Sequence, residues 1–182
     1  FSEYLEDLMC EIEYASVLVI HAGFRLEDLK TLPWAFGFLV PRTQRMRTLG
    51  WLFSSRIFGN RAPEGMCALS GYIGGATDPA ILESTHDSIR HIVLGELSLA
   101  LKMREIPRPE YFEIIEQRPG IPQYTVGHKR RMAAIREMLA GHPDLKVIGN
   151  YTTGVSIGDC IETAKKTVAE WDGVKAAAGA AR

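Results

Sequence analysis

The residues with most scope for chemistry lie near the C-terminus, in the run Gly149-Asn-Tyr-Thr-Thr-Gly-Val-Ser-Ile-Gly-Asp-Cys-Ile161. An apolar run, Leu145 to Ile148, ends in Gly149; a polar loop, Gly154 and an amphipathic segment from about Ser156 to Trp171 follow. The pattern reads as strand, glycine-bearing loop and helix. A helix start carries unpaired backbone N–H groups and a partial positive charge, which suit an anion or an electron-rich ring edge. Gly154 has no Cβ, so a flat or anionic ligand could approach the backbone there. The same pattern also makes an ordinary strand-to-helix turn, with Ser156 or Asp159 near the cap.

A second mixed stretch is Ile121-Pro-Gln-Tyr-Thr-Val-Gly-His128. Gln123 and Tyr124 could hydrogen-bond backbone or cofactor. His128 could serve as a general base or orient the start of the helix that follows. His21, inside an apolar strand pattern, reads as a satisfied core or edge residue rather than a ligand. Cys10, Cys67 and Cys160 are far apart and odd in number, which fits a reducing compartment and argues against a disulfide framework. No C-x-x-C or H-E-x-x-H pairing supports a metal site.

The elements that must position these residues follow from periodicity. Apolar residues at helical spacing predict a short helix over 1–13, and β-branched residues predict a strand over 14–24. A strand over 34–41 would send Phe36, Phe38 and Val40 to one side and Ala35, Gly37 and Leu39 to the other. Further strands are expected over 48–58 (Leu49, Trp51 and Phe53 alternating) and 67–73. Short connections between them point to an antiparallel sheet. Asp78 and Pro79 suit the cap and first position of a helical region reaching about residue 103, in one helix or two. Tyr111 to Gln117 reads as a short strand, and 132–139 as a helix with Gly141 at its C-terminal cap.

The chain has 182 residues, 46% hydrophobic and 24% charged, which suits a domain of ordinary size with a buried core. A net charge of -1 gives no bulk attraction to nucleic acid or anionic lipid. No apolar run reaches the roughly eighteen residues needed to span a bilayer. The chain opens at Phe1 inside a helical pattern, so a C-terminal piece of a longer protein is expected.

Four blocks occur together and in order: Ala35-Phe-Gly-Phe-Leu-Val-Pro41, Tyr72-Ile-Gly-Gly75, Ile121 to His128, and Gly149 to Ile161. In order and spacing they resemble the oxygen-dependent protoporphyrinogen oxidases and the bacterial coproporphyrinogen III oxidases that share their flavin fold. The wider family is the monoamine-oxidase-like FAD flavoproteins. The resemblance runs from about Tyr14 to Trp171; it departs at Ala35, where many relatives have glycine, and near Gln117, where many have tryptophan.

The resemblance implies an α+β chain, the C-terminal part of that FAD fold. Residues 1–120 would be a portion of the substrate domain, mostly antiparallel strands with helices. Residues 121–172 would return to the FAD domain by a strand-loop-helix, and 173–182 would be a frayed tail. The dinucleotide-binding half, with its G-x-G-x-x-G fingerprint, is not in this sequence. Gly149, Gly154, Val155, Ser156 and Gln123 would lie at the flavin. Phe36, Leu39 and Tyr72 would face the tetrapyrrole in a wide apolar cleft. No catalytic side chain is assigned, because the cofactor carries the hydride chemistry.

The implied reaction is oxidation of protoporphyrinogen IX or coproporphyrinogen III with FAD and O2, releasing H2O2, in heme biosynthesis. The implied location is cytoplasmic, with peripheral contact at the inner membrane and a homodimer left open. Two other readings stand beside it: a flavin enzyme acting on an amine or a carotenoid, and a truncated, non-catalytic binding module.

Overall fold

A computed structural model describes residues 3–29 and 32–180, with side chains described as far as Trp171. Helix α1 (Glu3–Cys10) is followed by β1 (Tyr14–Arg25), β2 (Gly37–Leu39), β3 (Thr48–Leu52), the single-turn α2 (Ser54–Ile57) and β4 (Met66–Gly74). Helix α3 (His86–Ala100), β5 (Tyr111–Pro122), α4 (His128–Leu139) and α5 (Ile157–Ala180) complete the order. The chain divides into two compact units. One is residues 15–120; the other joins 1–14 to 121–182, so α1 groups with the C-terminal segment rather than with the sheet.

In the 15–120 unit the sheet order is β2-β3-β4-β1-β5. β1 pairs antiparallel with β4, β4 with β3, and β3 with β2. The space beside Gly23 is filled by Tyr111 and that beside Gly120 by the Ala15 carbonyl, so β5 also runs antiparallel to β1. Alternation decides the faces. Leu18, Ile20, Ala22 and Phe24 of β1, with Cys67, Leu69 and Ile73 of β4, form a buried core with Ile89, Val93 and Leu97 of α3. Trp51 and Phe53 complete it, each removed from water almost entirely. Burial of such side chains is worth about 1.5–3 kcal/mol each.

Several local expectations change. β2 is three residues long, because Phe36 lies in a bend before Gly37. Phe38 packs toward the core, edge-on to Phe53, whereas Phe36 is exposed. In β3 the register shifts between Thr48 and Gly50, a bulge that puts Leu49 on the opposite side from Trp51. Residues 54–57 are helical rather than a continued strand. The helical region is in two pieces: Asp78 and Pro79 stand at the N-cap and first position of a 3-10 helix, Pro79–Glu83, but the Asp78 carboxylate makes no cap bond and takes the Arg47 guanidinium at 2.7 and 2.8 Å, and Thr85 caps α3. β5 extends to Pro122, beyond the expected Gln117.

In the unit of 1–14 and 121–182, α1 packs on α4. Leu8, Ile12, Met132 and Ile135 make its small core, with Tyr14 and Tyr151 against it. Arg131 donates to Glu11 at 2.9 Å. α4 ends at Ala140 in right-handed geometry, so Gly141 is not a left-handed cap. Leu145 to Ile148 forms no ladder with any described strand; Lys146 and Ile148 are exposed, and the expected buried strand is an unpaired segment. α5 continues as backbone helix through Ala180. The rest of the tail expectation, residues 181 and 182 and the side chains of 172–180, lies outside the described residues.

In β4 the Trp51 ring lies against Gly71, where an added Cβ would meet it at 2.9 Å. Gly71→Ala is expected to destabilise the sheet unit by about 1–3 kcal/mol, as overpacking does. Thermal unfolding measures it; an unchanged midpoint would show that Trp51 gives way.

Candidate functional site

The two C-terminal blocks singled out above meet. Tyr124 donates its hydroxyl to the Asn150 carbonyl at 2.8 Å, and His128 Nε2 lies 2.8 Å from the Tyr151 carbonyl. A carbonyl only accepts, so Nε2 carries the proton. The Tyr124 and His128 rings stack, centroids 4.4 Å apart and 8° from parallel. Tyr14 adds a bond from its hydroxyl to Asn150 Oδ1 at 3.3 Å. Three side chains from β1, the 121–127 segment and α4 therefore hold two consecutive residues of the loop. His128 is buried and spent on the loop, with Nδ1 unpartnered. It positions that loop rather than standing ready as a base. Burial, then the nearby Cys160 and Asp159, pushes the Tyr124 phenol above its ordinary value, so it stays a neutral donor.

The start of α5 is closed by a reciprocal capping box. Ser156 Oγ accepts from the Asp159 N–H at 3.0 Å and donates to Asp159 Oδ2 at 2.6 Å. The Ser156 N–H turns back to the same carboxylate oxygen at 3.3 Å. Gly154 has a use that the sequence reading did not foresee: a Cβ there would sit 2.4 Å from Asp159 Oδ2. The space above its Cα holds a carboxylate. Gly149 is open for a similar reason, its missing Cβ leaving room for the Tyr151 ring at 2.6 Å. Gln123 donates its side-chain amide to the Ile121 carbonyl at 2.9 Å. Cys160 is half-buried, with its sulfur 4.0 Å from the Gly154 carbonyl.

What this region could hold follows from what is left over. The N–H groups of Ile157 and Gly158 have no acceptor among the described residues. Val155 and Ile157 expose apolar side chains beside them, 53% and 81% accessible. Two free amides flanked by apolar groups fit one edge of a planar, electron-rich ring such as a flavin. The Asp159 carboxylate opposes negative charge on that ring and partly offsets the helix dipole.

The second candidate surface lies in the 15–120 unit, on the sheet face away from α3. Cross-strand partners share a face, so the rung Leu39–Gly50–Tyr72–Val19 places Leu39 and Tyr72 together, with only Gly50 between them. The next rung is Gly37–Leu52–Ser70–His21. Leu39 is 85% accessible and Phe36 is 74%, so neither is a core residue. Tyr72 lines a cavity of about 600 Å3 on this face, which Phe36 and Leu39 do not enter. Ser54 and Ser70, hydrogen-bonded at 2.8 Å in that cavity, were missed in the sequence. The signal available was the Ser54-Ser55 pair directly after Phe53, a helix start read as strand.

Residues 2–170 match the family described as flavin containing amine oxidoreductase. The chain belongs to this family. Protoporphyrinogen oxidase 1 of spinach chloroplasts is 37% identical over 137 residues, 74% of this chain and 24% of that protein. Coproporphyrinogen III oxidase of Bacillus subtilis is 31% identical over 156 residues, 85% of this chain and 33% of that protein. This chain thus spans about a quarter to a third of the length of the curated relatives it matches.

The fold is shared with a crystal structure assigned as a protoporphyrinogen oxidase from Exiguobacterium sp. 255-15. The TM-score is 0.72 at 22% identity, over 91% of this chain and 36% of that one. UDP-galactopyranose mutase has the same fold at a TM-score of 0.56 and 18% identity, over 74% of this chain and 28% of that one. The chain supplies an α+β segment of this flavin-containing family.

Two measurements test this geometry. Gly154→Ala is expected to break the capping box and lower stability by about 1 kcal/mol, the usual worth of a cap. The double variant Gly154→Ala/Asp159→Ala should be no less stable than Gly154→Ala; additive losses in thermal unfolding would mean that the two groups do not clash. Burial pushes the Cys67 thiol above its ordinary value. The folded thiol therefore stays protonated where the unfolded one ionises, and its contribution to stability is full below about pH 9 and falls above it. Disulfide-exchange labelling at pH 8 should modify exposed Cys10 well before Cys67; equal rates would contradict the burial.

Proposed function

We propose that the protein carrying this chain oxidises a porphyrinogen, protoporphyrinogen IX or coproporphyrinogen III, to the porphyrin in heme biosynthesis, with FAD and O2 and release of H2O2. The observation that carries the reading is the junction of the Ile121–His128 block with the Gly149–Ser156 loop through Tyr124 and His128. These are the two more specific of the four blocks. The named activities of the spinach and Bacillus relatives support it.

Bound FAD would accept hydride from the ring and pass electrons to O2, two at a time, each step yielding one H2O2. The chain's own contributions are positional. Val155 and Ser156, with Gly149 and Gly154 shaping the loop, would lie along the flavin edge; Gln123 would support the neighbouring segment. The Ile157 and Gly158 amides would donate to the electron-rich side of the ring, an effect of about 0.3–2 kcal/mol. Phe36, Leu39 and Tyr72 would offer apolar contact to the tetrapyrrole. Its carboxylates call for few, well-placed polar partners, and its body for a dry wall.

The finer reading of location is cytoplasmic, with peripheral contact at an inner membrane. Exposed Trp34 beside exposed Arg42 and Arg45 supports such a contact. Among the described residues no helix is long and apolar enough to cross a membrane. A homodimer belongs to the same reading.

The test is an assay of the purified holoprotein with each porphyrinogen in air. Porphyrin fluorescence should rise together with H2O2. Turnover of amines with no porphyrin formed from either substrate would overturn the proposal.

A further inference from the structure

The cavity on the outward sheet face has a composition that the reading above does not use. Its volume, about 600 Å3, is that of a small-molecule site. The lining is largely apolar, with Leu52, Phe58 and Tyr111 among it, and contains no aspartate or glutamate. Its charged member is Arg61, exposed at the 58–63 loop with its guanidinium 5.5 Å from the Phe58 ring centre. Arg61 has no ion-pair partner among the described residues. Glu64, in the same loop, does not line the cavity, and Glu113 is occupied by the Tyr111 hydroxyl.

Within this apolar wall runs one hydrogen-bonded row. Ser54 Oγ lies 2.8 Å from Ser70 Oγ, and Ser70 Oγ lies 3.2 Å from His21 Nδ1. Ser70 is buried, and its strand position opposite His21 is set by the β1–β4 register. The row occupies Nδ1 and leaves Nε2 as the imidazole atom without a partner among the described residues. The row can run in either direction; in one, Ser54 donates to Ser70, Ser70 donates to Nδ1, and Nε2 then carries the proton and donates outward.

We propose that this cavity binds a carboxylate on a flat apolar body, and that His21, held by Ser70 and Ser54, is the residue that selects for the carboxylate, with Arg61 at the mouth. The class follows from charge and lining: one guanidinium, one outward N–H donor, no acid and large apolar walls. A hydrogen bond from Nε2–H to an ionised oxygen in such surroundings is of the stronger, charge-assisted kind. The identity of the ligand as a propionate arm of a tetrapyrrole rests on the function proposed above; the carboxylate selectivity does not.

The experiment uses the full chain and two probe pairs, each an acid and its methyl ester: coproporphyrin III with its tetramethyl ester, and 1-naphthaleneacetate with its ester. Affinities are read by fluorescence titration. Each acid is expected to bind at least about ten-fold more tightly than its ester, the worth of one charge-assisted hydrogen bond. His21→Leu should bring the ratio to within about two-fold, and His21→Gln should keep part of it. The His21 ring signals, identified by their loss in His21→Gln, should shift on adding naphthaleneacetate, which a merely structural histidine would not show.

Equal binding of acid and ester by the unaltered chain, or an unchanged ratio in His21→Leu, overturns the proposal. If His21→Leu does not fold, Ser70→Ala replaces it, with the same loss expected and an unchanged ratio again decisive. Naphthaleneacetate selectivity without porphyrin binding would keep the cavity assignment and sink the tetrapyrrole reading. Porphyrin binding with no preference for the acid would do the reverse.

Discussion

Two neighbouring backbone carbonyls, those of Asn150 and Tyr151, hold the C-terminal unit in its form. Each takes one hydrogen bond from a ring, Tyr124 or His128, and the two rings stack on each other. Removing either ring would leave a carbonyl to find water and would loosen its neighbour. A loop has no ladder to hold it, so its shape must come from side chains brought from elsewhere. Here they come from a segment more than twenty residues upstream, and Tyr14 adds a third anchor from the far end of the chain. The shape of Gly149 to Ser156 depends on that clamp.

The clamp delivers the loop to a helix whose start is already partly satisfied. Ser156 and Asp159 use each other's backbone N–H groups, which stabilises α5 but lowers the positive potential available to a ligand. The remaining amides, at Ile157 and Gly158, are flanked by exposed apolar side chains. Binding there would combine weak electrostatics with apolar contact rather than rely on charge. The glycine that looked like a landing place for a ligand is needed first for the fold, since Asp159 fills the space beside it.

In the sheet unit the division of labour is by face. One face is committed to α3 and the aromatic pair Trp51 and Phe53. The other carries Leu39, Tyr72, Ser70 and His21 on adjacent rungs, and α2 with the following loop walls part of it into a cavity. Period-two alternation makes this possible within the same strands: each residue given to the core leaves its neighbour for the open side. The bulge at Leu49 keeps Gly50 on the open face, where a side chain would separate Leu39 from Tyr72.

Much of this was legible from residue order. β-branched residues marked β1, an apolar stretch ending at paired glycines marked β4, helical spacing marked α1, α3 and α4, and the mixed blocks at 121–128 and 149–161 marked the region that the clamp joins. Those signals are local, and local propensity and burial periodicity determine them. Other features were not local. Whether Leu145 to Ile148 pairs depends on a neighbouring strand, and none is there among the described residues. Asp78 stands at the start of the Pro79–Glu83 helix as its residue type predicts, but what its carboxylate binds depended on Arg47, thirty-one residues away. The Ser54–Ser70–His21 row exists because a strand register and a one-turn helix bring three ordinary polar residues to one wall. Residue types and spacing determined the elements and pointed to the family; long-range register and competition among polar partners, which only the folded chain resolves, decided which side chains meet.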